Sequence, residues 1–258
     1  MPALARPPVA FALDFATAAQ AREAALRVAP AVGMLKVGLE LFAHAGPAIV
    51  GIGAEASLPV FVDLKLHDIP ETVERAVAQV SALGAHIVTV HASGGRAMLR
   101  RAVARAAAEG CTLHICAVTL LTSLDASDVR DVGWSASPHE VAVRLATMAF
   151  EEGVRWFVCS PAEVGALRTA LGPEATLVTP GVRPASASAG DQKRVATPEQ
   201  AIANGADWLV VGRPIRDAAD PLAAAAAIGS SVTRAIEARS GAGHPLAARA
   251  PSNGDLGS

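Results

Sequence analysis

The sequence predicts an α/β protein built as a single (β/α)8 TIM barrel, and three observations predict it. Strand-like and helix-like runs alternate from Val9 to about Ala238 and make eight units in series. Such alternation implies a parallel sheet with right-handed crossovers. Eight units within about 250 residues is the size at which that sheet closes on itself. No glycine-rich dinucleotide turn follows the first strand at Asp14, which disfavours the alternative, an open doubly wound sheet.

The elements follow in order. Residues 9–14 read as a strand, and Thr17 caps a helix over 18–28. A short strand at 34–37 leads to a helix over 41–54. Pro59 opens a strand to residue 66, and the helix over 69–83 carries Val73, Val77 and Val80 at helical spacing. Strand 86–90 precedes a helix over 94–109 that Gly110 stops, and strand 113–119 precedes a longer connection over 121–137. A helix over 138–152 ends at Gly153, strand 156–159 pairs with a helix over 162–171 ending at Gly172, and strand 176–179 runs into a polar loop over 180–197. A short helix over 198–204, a strand at 208–211 and a last helical stretch to about Ala238 complete the barrel, which occupies residues 1–239. The tail, 240–258, is rich in Gly, Ala, Pro and Ser, and disorder is expected there.

Composition narrows the function. An apolar fraction of 52% with 18% charged residues supplies an ample core. A net charge of −2, with six Phe, three Trp and no Tyr, offers neither a basic footprint nor a stacking platform for nucleic acid. Cys111, Cys116 and Cys159 lack C-x-x-C spacing and sit in or beside apolar segments, as buried thiols in a reducing compartment would. The first residues lack the apolar core of a secretory signal, and no run reaches the ~18 apolar residues of a membrane span. A cytoplasmic protein without a membrane partner is expected.

The informative stretch is Phe61-Val62-Asp63-Leu64-Lys65-Leu66-His67-Asp68-Ile69-Pro70-Glu71-Thr72. With a period of two, Asp63 and Lys65 share one face of the strand while Leu64 and Leu66 take the other. Asp68 falls just past the strand end, and Pro70 suits a helix first turn. A buried ion is costly unless paired, whereas an alternating Asp–Lys–Asp set compensates itself. An exposed edge strand with a solvated ion pair is the plainer alternative. In a barrel, however, every strand ends at one mouth, where catalysis is built. Asp14, Lys36, Asp63 and Lys65 come from the first three strands and converge there, which favours an active site.

The last strands bring different chemistry. Pro180-Gly181-Val182-Arg183 follows the seventh strand and Gly212-Arg213-Pro214 the eighth, where barrels of this kind commonly bind phosphate at a short helix start. Arg213 offers a planar fork, Gly212 permits close backbone approach, and the loop containing Gln192 lies beside them. Thr122-Ser123 presents hydroxyls to a polar ring edge, or serves as a turn. His67 and His91 are read as structural histidines, His91 alternatively as a contact to substrate or a neighbouring subunit. No His or Cys cluster has metal-ligand spacing, so no metal is expected.

Taken together these motifs resemble the orotidine 5′-phosphate decarboxylase family of the bacterial type. The resemblance rests on Leu13-Asp14, Leu35-Lys36-Val37-Gly38, the Asp63–Thr72 stretch, Val90-His91-Ala92-Ser93-Gly94-Gly95, Leu121-Thr122-Ser123, Thr179-Pro180-Gly181-Val182-Arg183-Pro184, Gly190-Asp191-Gln192 and Val211-Gly212-Arg213-Pro214. The D-x-K-x-x-D piece alone is shared with related sugar-phosphate decarboxylases and synthases; the ordered set is far more specific. The resemblance implies conversion of orotidine 5′-phosphate to uridine 5′-phosphate without metal or organic cofactor, by a homodimer with shared sites. Lys36, Asp63, Lys65 and Asp68 would form the catalytic network, with Asp68 and Thr72 entering the neighbour's site. Asp14 and Lys36 would hold the ribose hydroxyls. Ser123, with Thr122 beside it, would face the pyrimidine. Arg183, Gln192, Gly212 and Arg213 would surround the 5′-phosphate, with the 183–193 loop closing over it. Two rivals remain at this point: a metal-dependent enzyme acting on a sugar phosphate through the same strand, and a non-catalytic nucleotide-binding barrel.

Overall fold

The structure, a computed structural model, describes residues 6–110, 113–183 and 196–241. Eight parallel strands, β1 (Val9–Ala12), β2 (Met34–Gly38), β3 (Val60–Leu66), β4 (Ile87–His91), β5 (His114–Val118), β6 (Trp156–Val158), β7 (Thr176–Pro180) and β8 (Trp208–Val211), pair in sequence order. β8 pairs back onto β1, which closes the barrel.

The helices form as their capping signals dictate. Helix α1 (Ala18–Val28) starts at Thr17, whose hydroxyl accepts from the Gln20 amide, and it buries Ala21, Ala25 and Val28 on one face. The expected helix over 41–54 is broken into α2 (Leu39–Ala45), a 3-10 turn (Pro47–Gly51) and α3 (Ile52–Ala56). Gly46 adopts φ +69° and Pro47 has no N–H to carry the helix through. Helix α4 (Pro70–Ala82) buries Val73, Val77 and Val80, the apolar spacing noted above. Helix α5 (Arg96–Ala108) follows Gly95.

The long connection after β5 contains α6 (Ala126–Asp131), unexpected because it is short and buries only Val129. An Asp125–Asp128 capping box holds it. Ser137 and Glu140 do the same for α7 (Pro138–Glu151). Helices α8 (Val164–Leu171) and α9 (Pro198–Ala203) follow. The last helical stretch divides into α10 (Arg213–Arg216) and α11 (Pro221–Gly241), with Pro221 opening the second. Gly110, Gly153 and Gly172 stop their helices in the left-handed region, as their positions suggested. Among the described residues no helix is long and apolar enough to cross a membrane.

Alternation along the strands sorts side chains into two cores. Val9, Phe11 and Leu13 pack outward beneath the helices, while Ala10, Ala12, Met34, Phe61, Ile87, Cys116, Trp156, Val178, Trp208 and Val210 fill the lumen. This filled interior is the floor on which the mouth is built. Cys116 and Cys159 are buried free thiols. Burial pushes the Cys116 thiol far up and that of Cys159 up to about 12, so both stay protonated and unreactive. Cys111 lies outside the described residues, as does the tail beyond residue 241.

Candidate active site

Two positions beyond a lumen residue on each of the first four strands stands a polar side chain at the mouth. Asp14 follows Ala12, Lys36 follows Met34, Asp63 follows Phe61 and Thr89 follows Ile87. A cavity of about 500 Å³ opens there, lined by Asp14, Lys36, Asp63, Lys65, Thr122, Arg183, Gly212 and Arg213, with Ala12, Phe61, Val158 and Val210 beneath.

On the β1–β3 side the charges alternate. Lys36 Nζ lies 3.4 Å from Asp14 Oδ1 and 3.5 Å from Asp63 Oδ2, and Lys65 Nζ donates to Asp63 Oδ1 at 2.9 Å. Lys36 is 9% exposed, so its charge is held by these two carboxylates rather than by water. Burial pushes the Asp63 carboxyl upward, but Lys36, Lys65 and the hydrogen bonds from Lys65 and Thr89 together outweigh it and hold its pKa below the ordinary value. A Cβ on Gly38 would meet Lys36 Nζ at 3.0 Å, and one on Gly212 would meet Asp14 Oδ2 at 3.3 Å, so both glycines keep this row of charges clear.

Lys65 stands on the Asp63 face, as alternation expects, but the strand that carries it is not regular. Val62 pairs with Val88 and Leu66 with Val90, so Asp63, Leu64 and Lys65 together stand opposite Thr89. Lys65 absorbs the extra length in the left-handed region at φ +52°, a conformation that costs a non-glycine residue about 1–2 kcal/mol. Through this bulge Lys65 stays with Asp63 at the cavity, while Leu64 and Leu66 pack against the outer core.

Across the cavity, Gly181 has φ +79°, Arg183 is buried, and Gly212 leads into α10, which begins with Arg213. The Val182–Ala196 bridge and the Arg183 amide, which donates to Ala196 O at 3.0 Å, draw together the two sides of the intervening segment. Gln192 and most of the 183–193 loop lie outside the described residues.

Other expected residues are disposed differently. Thr122 lines the cavity, whereas its neighbour Ser123 is exposed and outside the lining. Asp68 and Thr72 are exposed beyond the end of β3, with Asp68 Oδ1 accepting from the Ile69 amide at 2.6 Å. They do not line this chain's cavity. The His67 and His91 rings lie 5.3 Å apart, and burial, then His67 and Lys65, lower the pKa of His91. Among the described residues no three His, Cys, Asp or Glu side chains gather as a metal-binding group.

Sequence reasoning passed over two residues. Thr89 could have been found by continuing the alternation along strand 86–90. Arg216 carries no such signal; it lines the cavity, donates from Nη1 to the Asp14 backbone carbonyl at 2.9 Å, and pairs with Asp217.

A closed barrel with opposite charges on β1–β3 and arginines beyond β7 and β8 lining one cavity at its mouth has the architecture of a TIM-barrel enzyme. The profile of the orotidine 5′-phosphate decarboxylase / HUMPS family matches residues 7–228. Orotidine 5′-phosphate decarboxylase of Anaeromyxobacter sp. (strain K) is 55% identical over 221 residues, covering 86% of this chain and 96% of the relative. The enzyme of that name from Thermobifida fusca (strain YX) is 50% identical over 228 residues, covering 88% and 96%. The crystal structure of orotidine 5′-phosphate decarboxylase from Lactobacillus acidophilus matches with a TM-score of 0.78 at 35% identity, over 88% of this chain and 99% of that one. The chain belongs to the orotidine 5′-phosphate decarboxylase / HUMPS family, and its resemblance is to the bacterial decarboxylases.

Proposed function

We propose that this protein is a carbon–carbon lyase that decarboxylates orotidine 5′-phosphate to uridine 5′-phosphate, the last step of de novo pyrimidine nucleotide synthesis. Its relatives carry the name of that reaction. On the chain itself, the carrying observation is the Asp14–Lys36–Asp63–Lys65 row facing Arg183 and Arg213 across one cavity.

Loss of CO2 breaks the bond at C6 and leaves its electron pair in the ring plane, where no π-system absorbs it. The barrier must therefore fall through fixed charge and through binding energy expressed in the transition state. In this reading Asp63, with Asp68 of the partner subunit, opposes the substrate carboxylate and holds Lys65 charged and aimed. The Lys65 ammonium stabilises the pair on C6, then gives it a proton and is recharged from water. Asp14 and Lys36 hold the ribose hydroxyls, Thr122 and Ser123 face the pyrimidine, and Arg183, Gln192, Gly212 and Arg213 take the phosphate.

A single ion contact at 4 Å is worth about 4 kcal/mol at an effective dielectric of about 20. Enzymes lower barriers by up to about 23 kcal/mol, so the phosphate grip must contribute through orientation. A second copy completes the site in a homodimer, where Asp68 of the partner subunit joins the Lys36–Asp63–Lys65 network and Thr72 of the partner subunit contacts the substrate. The exposure of Asp68, Thr72 and Ile69, the last 65% exposed, supports this. The reaction runs in the cytoplasm and needs no cofactor.

One assay tests the assignment: the absorbance change as orotidylate becomes uridylate, followed with and without EDTA. Turnover that survives chelation is expected. No conversion refutes the reaction, and loss on chelation refutes the cofactor-free reading.

A further inference from the structure

We propose that Thr89 is a positioning residue for this reaction, its hydroxyl clamping the backbone of Lys65 to the carboxylate of Asp63. The inference rests on the decarboxylase reading above. Thr89 is fully buried on β4. Its Oγ1 accepts from the Lys65 amide at 2.8 Å and donates to Asp63 Oδ1 at 3.0 Å. The direction of both bonds is forced, since an amide N–H only donates and an ionised carboxylate only accepts. Asp63 Oδ1 also receives Lys65 Nζ at 2.9 Å. A closed circuit results: the Lys65 main chain to Thr89, Thr89 to Asp63, and Asp63 back to the Lys65 ammonium. Lys65 is thus gripped at both ends by one oxygen pair.

The clamp sits where the sheet cannot supply it. Between the Val62–Val88 and Leu66–Val90 pairs, three residues of β3 stand opposite Thr89, so a side chain takes the place of a ladder carbonyl for the Lys65 amide. That amide belongs to the residue with φ +52°, a conformation that persists only when its surroundings over-determine it. The charged and titratable groups around Asp63 are Lys36 of β2, Lys65 of β3, His91 of β4 and Cys116 of β5. Thr89 adds an uncharged donor to that set.

Thr89→Val keeps the shape and removes the hydroxyl; Thr89→Ser keeps the hydroxyl. For Thr89→Val, kcat is expected to fall about 10- to 100-fold with KM changed less than about threefold. The acid limb of kcat should also move to higher pH, because the carboxylate loses a donor that favours its ionised form. Thr89→Ser should restore kcat to within about threefold of wild type. A Thr89→Val enzyme with kcat within about twofold of wild type and an unmoved acid limb overturns the inference, as does a rise in KM alone. Should Thr89→Val not fold, Thr89→Ser carries the test, and a folded Thr89→Ser that loses more than about tenfold in kcat overturns the assignment to the hydroxyl. An inactive wild type overturns the reaction itself, and this inference with it. An active wild type with an indifferent Thr89→Val overturns the inference alone.

Discussion

Replacing Lys65 by Ala removes the one cation bonded at 2.9 Å to Asp63 and directed into the cavity from the bulge. An ammonium about 4 Å from the carbanion contributes about 4 kcal/mol at an effective dielectric of about 20, or roughly a thousandfold in rate. Loss of the proton donor adds about 10²- to 10⁴-fold. Turnover of orotidylate, followed by absorbance, should therefore fall by about 10⁵-fold or more. Affinity for uridylate, which lacks the carboxylate, should stay within about tenfold by titration calorimetry, because the contacts proposed for phosphate and ribose do not involve Lys65. Lys65→Gly provides an internal control. It loses the same ammonium but relieves the left-handed strain at φ +52°, worth about 1–2 kcal/mol. Its Tm should exceed that of Lys65→Ala by a few degrees, at about 2–4 °C per kcal/mol, with the same kinetic loss. A Lys65→Ala enzyme retaining more than about 1% of wild-type turnover would refute both the assigned proton donor and the electrostatic account.

Further outcomes follow from the same geometry. Arg213→Ala should raise KM about 10- to 100-fold, the worth of charge-assisted bonds to phosphate; an unchanged KM would move the phosphate elsewhere. Asp63→Asn should lose about 2–4 kcal/mol of stability to urea at neutral pH, since it takes the carboxylate from Lys65 and leaves Lys36 with Asp14 alone. Because the folded Asp63 carboxyl is held below its ordinary value, that contribution is present above the unfolded carboxyl pKa, about 4, and disappears as pH falls through the lower folded value. A gap between wild type and Asp63→Asn that stays constant into that acid range would contradict it. Buried Arg168 donates to the carbonyls of Gly172, Ala175 and Gly205 and pairs with Asp207. Arg168→Met should lower Tm by about 10 °C, because the buried Asp207 carboxylate is left with the longer Arg239 ion pair at 3.8 Å and three carbonyls lose their donor, and a Tm within about 2 °C of wild type would show the pair to be dispensable.

What was legible in the sequence follows a physical divide. The strands, the Thr17 cap and the Val73–Val77–Val80 face are local or periodic, and each stands in the structure. The arrival of Asp14, Lys36 and Asp63 at one mouth follows from alternation once the barrel is granted. The bulge at Lys65 was not legible, because register is a relation between two strands. Helix α6 escaped because a short element burying only Val129 has too little periodicity to show. The break at Gly46-Pro47 is legible, since a Gly-Pro pair outweighs the apolar pattern around it. Arg216 escaped for a different reason: its partner is the Asp14 carbonyl, a backbone atom 202 residues away.

The two halves of the mouth are held in ways that suit their tasks. At the reacting end, tolerance is of the order of half an ångström, and there the charges stand on or just beyond strands and are tied by short bonds, with Thr89 and Asp63 fixing Lys65. At the end proposed for the phosphate, whose charge is diffuse, the arginines stand on loops around Gly181 and Gly212. Rate enhancement through remote binding nonetheless requires the halves to act as one body, since energy gained at the phosphate orients C6 only across a stiff connection. Arg216 supplies such a connection. It sits in α10, the helix that begins with Arg213, and donates to the carbonyl of Asp14, whose carboxylate begins the charged row leading to Lys65. The seam between β8 and β1, where the barrel closes, is thereby also where the proposed phosphate site is joined to the charged row.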